Sequence, residues 1–166
     1  LAEVGQEGLT PVAYVSQRDR SRPRAQRPLY RAALRPFPVT DPHTGQTMAF
    51  RVAYVWSSEE ASSVAEGRER ALARAESDLA VVRRGLGGRY YKTKAQVDAK
   101  VGAILIPAIR HLLTVPTGVA AGKPTLSWER DAAAIAAIRR CDGIYALATN
   151  IPGRLSARRI LHIYKN

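Results

Sequence analysis

The chain has 166 residues, with 26 Lys and Arg against 14 Asp and Glu and a formal net charge of +12. That length suits one domain with a real core, the 46% hydrophobic fraction is ordinary for a globular protein, and no apolar run nears the ~20 residues of a membrane span. A single cysteine, Cys141, excludes an internal disulfide, and scattered His43, His111 and His162 without paired-ligand motifs exclude structural zinc, while the positive excess favours a polyanionic partner, nucleic acid first.

Residues 1 to 45 are rich in Pro and Arg, with one strand expected near Val12 to Val15. From 17 to 38, Arg18, Arg20, Arg22, Arg24, Arg27, Arg31 and Arg35 face a single acid, Asp19, and Pro23, Pro28, Pro36 and Pro38 forbid a long helix. An extended basic segment of this kind can follow a phosphate backbone, because the planar guanidinium pairs with phosphate oxygens. The same residues read equally as a solvated loop. DPHTGQ, 41 to 46, is a turn, and MAFRVAYVW, 48 to 56, is a strand that forms a hairpin with a strand around Leu34 to Thr40. On it Phe50, Tyr54 and Trp56 share a face with core-like spacing.

Ser57 or Ser58 opens a long helix, with Glu59 and Glu60 at its positive dipole end. Leu72, Ala75, Leu79, Val82 and Leu86 form a narrow apolar stripe, suited to another helix of this chain or of a partner subunit. RRGLGGRYYKTK, 83 to 94, lacks the Gly-Lys-Ser/Thr order of a phosphate loop. It reads instead as a helix stop at Gly85, a turn, and a capping box of Thr93 with Gln96. Arg83, Arg84, Arg89 and Lys92 remain candidate DNA contacts. The next helix carries Val97, Val101, Ile104 and Leu105 on one face and stops at Pro107. Two strands are expected at 111 to 118 and 123 to 130, then a short helix capped by Asp131.

DGIYALATN, 142 to 150, combines a turn dipeptide with a strand, Ile144 to Ala148, expected to be buried on both faces. It ends on Thr149 and Asn150. Ser156 caps a last helix with Ile160, Leu161 and Tyr164 on one side. Leu1 in place of Met, and a helix still running at Asn166, suggest a piece of a longer protein.

RVAYVWSSEEA, GRERALARAE, GLGGRYYKT, GKPTLSW, DGIYALATNIPGRLSA and IYK, in this order, resemble a bacterial insertion-sequence transposase of the DDE type. The resemblance covers nearly the whole chain. It implies an RNase H-like catalytic domain in which three acids hold two divalent ions, usually Mg²⁺, for DNA cleavage and strand transfer. It also implies a signature of Tyr, Arg, Glu and Lys: Tyr164 matches the first position and Lys165 fits the next. The Arg, the catalytic Glu and the final Lys would then follow Asn166, and the other two acids would precede Leu1. Asp142 starts a turn at a strand entry and is not expected to be a ligand.

The resulting expectation is an α/β (α+β) fold: a partial RNase H-like core with a helix-rich insertion between the second catalytic Asp and the catalytic Glu. Residues 1–56 would hold the basic segment and hairpin, 57–141 the insertion, and 142–166 a core strand and the start of the final helix. The chain itself would contain no catalytic triad and no metal site, Mg²⁺ belonging to the intact enzyme. Its partners would be transposon-end DNA in the bacterial cytoplasm and, through the long helix, a second copy. Thr149, Asn150, Tyr164 and Lys165 would lie near the missing site, although Asn150 before Ile151-Pro152 also ends a strand by turn chemistry. The alternative is a non-enzymatic basic nucleic-acid-binding module.

Overall fold

The computed structural model describes residues 5–151 and 155–165. In chain order the regular elements are β1 (Thr10–Val12), β2 (Tyr30–Thr40), β3 (Thr47–Ser57), α1 (Ser58–Arg84), α2 (Lys94–Ile104), β4 (Leu113–Thr114), β5 (Thr117–Ala120), β6 (Lys123–Leu126), β7 (Glu129–Arg130), α3 (Ala132–Arg139), β8 (Ile144–Thr149) and α4 (Ala157–Lys165). The architecture is α+β with antiparallel strand pairing in every sheet. Two compact units emerge, one of Leu1–Val64 with Arg140–Asn166 and one of Ala65–Arg139. Among the described residues no helix is long and apolar enough to cross a membrane.

The first unit is a four-stranded sheet in the order β1-β2-β3-β8. Its spine is the hairpin β2–β3, in register from Tyr30 opposite Ser57 to Thr40 opposite Thr47. The turn forms through Asp41, whose carboxylate accepts from the His43 backbone N–H at 2.8 Å and from the Thr44 hydroxyl at 2.9 Å. These bonds, the one from His43 first, hold the Asp41 carboxyl below its usual pKa. Strand β2 is longer than the sequence reading allowed, running from Tyr30 through Pro36 and Pro38. β1 pairs only with Tyr30, Arg31 and Ala32, so both prolines lie on an outer stretch where a missing N–H costs no ladder bond on that side.

Helix α4 covers one face of this sheet. Ile160 and Leu161 are fully buried against Tyr14, Tyr30, Ala32, Ala53 and Val55. Ser156 caps the helix, accepting from the Arg159 N–H at 3.2 Å. Three expectations are corrected here. Both faces of β3 bury residues, Ala53 and Val55 on the side of α4 and Val52 on the other, where Phe50, Tyr54 and Trp56 are only half-buried. Small residues lie inward because a helix packs closely over them. Strand β8 is an edge strand rather than one buried on both faces: Tyr145 and Leu147 pack inward while Ala146 and Ala148 are exposed. Tyr164, expected on the buried side of α4, is 51% exposed.

Strand β8 enters through Asp142-Gly143. Gly143 has φ +77°, and a β-carbon there would lie 2.6 Å from the Ala61 nitrogen and 2.7 Å from the Ser57 carbonyl oxygen. The Gly143 carbonyl accepts from the Ser57 N–H at 3.1 Å. Only glycine admits so close a contact between this turn and the first turn of α1.

In the second unit, Leu72, Ala75, Leu79 and Val82 of α1 share a core with Val97 and Val101 of α2 and with Leu105, Ile109, Leu112, Leu113 and Leu126. The apolar stripe therefore packs against a helix of its own chain, one of the two alternatives the spacing allowed. Gly85 ends α1, its N–H reaching the Val82 carbonyl at 3.0 Å, with the Tyr91 ring where a side chain would be. Thr93 and Gln96 make the expected reciprocal capping box. The two strands expected at 111–118 and 123–130 are four. Residues 115–116 and 127–128 interrupt the ladder between β4–β7 and β5–β6, and the Ser127 N–H bonds the Pro116 carbonyl at 3.2 Å. Ala121 and Gly122, at φ 49° and 73°, close the inner hairpin. Asp131 caps α3 through the Ala134 N–H at 2.8 Å. Arg130 binds Glu76 and Glu69 of α1 at 2.8 and 2.7 Å. The bond to Glu76 is the main cause of the raised Arg130 pKa and of the lowered Glu76 pKa.

Candidate nucleic-acid interface

The Arg-rich segment is compact up to Leu29 and extended only from Tyr30, where it becomes β2. Residues Gln17–Asp19 and Arg24–Gln26 form single 3-10 turns. Asp19 is 1% exposed, and its carboxylate accepts from the Ser16 hydroxyl at 2.5 Å and faces Arg22 at 3.2 Å. Glu59, in the first turn of α1, binds Arg18 at 2.8 Å and Arg22 at 3.1 Å. The bond to Glu59 raises the Arg22 pKa. Arg27 donates to the backbone carbonyls of Arg22 and Arg20 at 2.9 and 3.0 Å, closing the segment on itself. Three of the candidate DNA-binding arginines thus serve the fold of this segment: Arg18 and Arg22 through carboxylates, Arg27 through carbonyls.

Arg20, Arg24, Arg27 and Arg31 line a cleft of about 750 Å³, and Arg158 of α4 completes its cationic wall. A smaller adjoining cleft of about 410 Å³ shares Tyr14, Val15, Arg20 and Arg158 with it and adds Arg159 and His162. Among the described residues no Asp or Glu lines either one. The Arg27 guanidinium is engaged by the Arg20 and Arg22 carbonyls and that of Arg31 lies over the Trp56 ring at 5.5 Å, so Arg20, Arg24, Arg158 and Arg159 are the arginines that make the two adjoining clefts positive, with no carboxylate among their described lining residues. Their chemistry is that of an oxyanion receptor: guanidinium forks matched to phosphate or carboxylate oxygens.

Arg158, Arg159 and His162 were missed as contacts in the sequence. Helix α4 was read for its apolar side, Ile160 and Leu161, and the paired arginines after Ser156 were the unused signal. Nothing local says that they meet Arg20.

The other candidates fall elsewhere. Arg83 stacks over the Trp128 ring at 4.6 Å, and Arg89 over Tyr90 at 5.7 Å. Arg84 and Lys92 are exposed. All four belong to the second unit, and the cleft draws on none of them. Thr149 is buried, and its hydroxyl accepts from the Ile151 N–H at 3.2 Å, while Asn150 is exposed. The strand thus ends on a turn bond made by Thr149 rather than by Asn150. The Tyr164 hydroxyl donates to the Ala148 carbonyl. The Lys165 ammonium lies 5.3 Å from the Tyr30 ring and 5.0 Å from the Tyr145 ring. Burial raises the pKa of both tyrosines. These contacts tie α4 to the sheet. Pro152, Gly153 and Arg154 of the expected strand-to-helix connection lie outside the described residues.

Among the described residues no three His, Cys, Asp or Glu side chains gather into a group that could hold a metal ion. Comparison with protein-family models, with curated proteins and with solved structures finds no match.

Proposed function

We propose that this chain is a DNA-binding portion of a DDE-type transposase, with its metal-holding acids in other parts of the intact enzyme. The reading is supported by the ordered series of motifs, from RVAYVWSSEEA to IYK, that resembles that family. The observation that carries it is the cleft of the first unit, cationic along its wall and free of carboxylates among the described residues. In the intact enzyme two Mg²⁺ ions would supply the cleavage and strand-transfer chemistry. The role of these residues is to hold the phosphate backbone: Arg20, Arg24, Arg158 and Arg159 donate to its oxygens, and the buried Ile160 and Leu161 fix the helix that presents two of them.

Fluorescence anisotropy with a short labelled duplex tests the reading. The wild-type chain is expected to bind, and Arg20→Ala with Arg158→Ala to weaken binding about tenfold or more, as expected for losing charge-assisted hydrogen bonds. Both residues are exposed, so the fold is expected to survive. Mg²⁺ should leave a bound plasmid uncut. Equal affinity of the variant and the parent would refute the assignment of the cleft.

A further inference from the structure

The cleft is more than a row of charges. Pro11, Val15 and Leu29 line it beside the arginines. Leu29 is 69% exposed and Val15 is 37% exposed. The backbone of Leu29 is held on both sides: its N–H donates to the Ser58 hydroxyl at 3.0 Å, and its carbonyl accepts from the Ser58 N–H at 3.0 Å. A large aliphatic side chain is thus held in water on a pinned backbone, inside an arginine-walled cleft. A duplex offers such a surface its phosphates and sugars, while its base faces are stacked against one another. An unpaired nucleotide presents a flat apolar base together with its phosphate, which matches both halves of the lining.

Resting on the nucleic-acid reading above, we propose that this cleft takes an unpaired DNA strand in preference to duplex. Bases lie against Leu29 and Val15, and phosphates meet Arg20, Arg24 and Arg158. The arginine planes add further stacking surface for neighbouring bases. The preference is for form rather than sequence, because every base has an apolar face.

The test compares oligothymidine with a duplex of equal length by fluorescence anisotropy, using the whole chain. The wild type is expected to bind oligothymidine more tightly. Leu29→Ser should weaken oligothymidine binding by about fivefold or more, the loss expected when a base no longer buries apolar surface on this side chain, and leave duplex binding unchanged. Leu29→Trp should strengthen oligothymidine binding, a gain that a misfolded variant cannot give. Arg158→Ala should weaken both. Duplex bound as tightly as oligothymidine, or Leu29→Ser acting equally on both, would overturn the preference while leaving the cleft a DNA site. Absence of Arg158-dependent binding to either would instead refute the nucleic-acid reading beneath it.

Discussion

Replacing Gly143 by alanine should damage the first unit more than the same change at Gly45. Two costs combine. The backbone sits at φ +77°, a left-handed conformation that penalises an L side chain by about 1–2 kcal/mol. The new β-carbon would also lie 2.6 Å from the Ala61 nitrogen, 2.7 Å from the Ser57 oxygen and 2.8 Å from the Ala61 α-carbon. All three are backbone atoms, so no rotamer change relieves the clash; either β8 or the start of α1 must shift, at about 1–3 kcal/mol for overpacking. The expected loss is about 2–5 kcal/mol, a large part of the ~5–15 kcal/mol that holds a typical domain. Gly45→Ala is the control, because Gly45 has φ +69° with nothing within 4 Å of the added atom; it should show the conformational cost alone. Urea unfolding reads the difference. The chain has two tryptophans, Trp56 in the first unit and Trp128 in the second, so a Trp128→Phe background makes fluorescence report on the first unit. Gly143→Ala within ~0.5 kcal/mol of Gly45→Ala would refute the close-contact reasoning, since that margin is the scatter of an ordinary surface change.

Two further outcomes concern the second unit. Leu79→Ala removes a fully buried side chain from the centre of the α1–α2 core and should cost about 2–5 kcal/mol in urea unfolding followed through Trp128; a loss below ~1 kcal/mol would mean that the stripe is not packed as described. Glu76 and Asp98 both titrate below their ordinary values, Glu76 chiefly through its bond to Arg130 and Asp98 through its bond to Lys94. A lowered folded pKa stabilises the fold above the unfolded value and loses that contribution as pH falls through the folded one. Thermal melts should therefore fall as pH drops below about 4, and Glu76→Gln should fall less steeply than the wild type; parallel curves would contradict the Arg130 contact.

Features governed by neighbours in sequence were legible before the structure. The Asp41 turn, the Thr93–Gln96 box, the Asp131 and Ser156 caps and the Gly85 stop each depend on a few consecutive residues, and each forms. The stripe on α1 was legible too, because helical spacing exposes it, although its partner inside the unit was not. What escaped depends on residues far apart in the chain. Glu59 neutralises Arg18 and Arg22 across about forty positions, so the basic segment looked more available than it is. Arg158 joins Arg20 only because Ile160 and Leu161 seat α4 on the sheet. The burial of β8 was overread because its composition is apolar, yet it lies at the sheet edge, where short alanines face outward.

The salt dependence of DNA binding by the 166-residue chain tests the cleft most directly. Arg20, Arg24, Arg158 and Arg159 line the cleft with no carboxylate among its described lining residues, and four phosphate contacts give a slope of log K against log salt of about −3.6 on duplex. Removing Arg20 and Arg158 together should bring that slope to about −1.8, each lost contact changing it by about 1. Binding that is flat between low and moderate salt, or a slope unmoved by the double substitution, would contradict the central claim that this cleft grips a phosphate backbone.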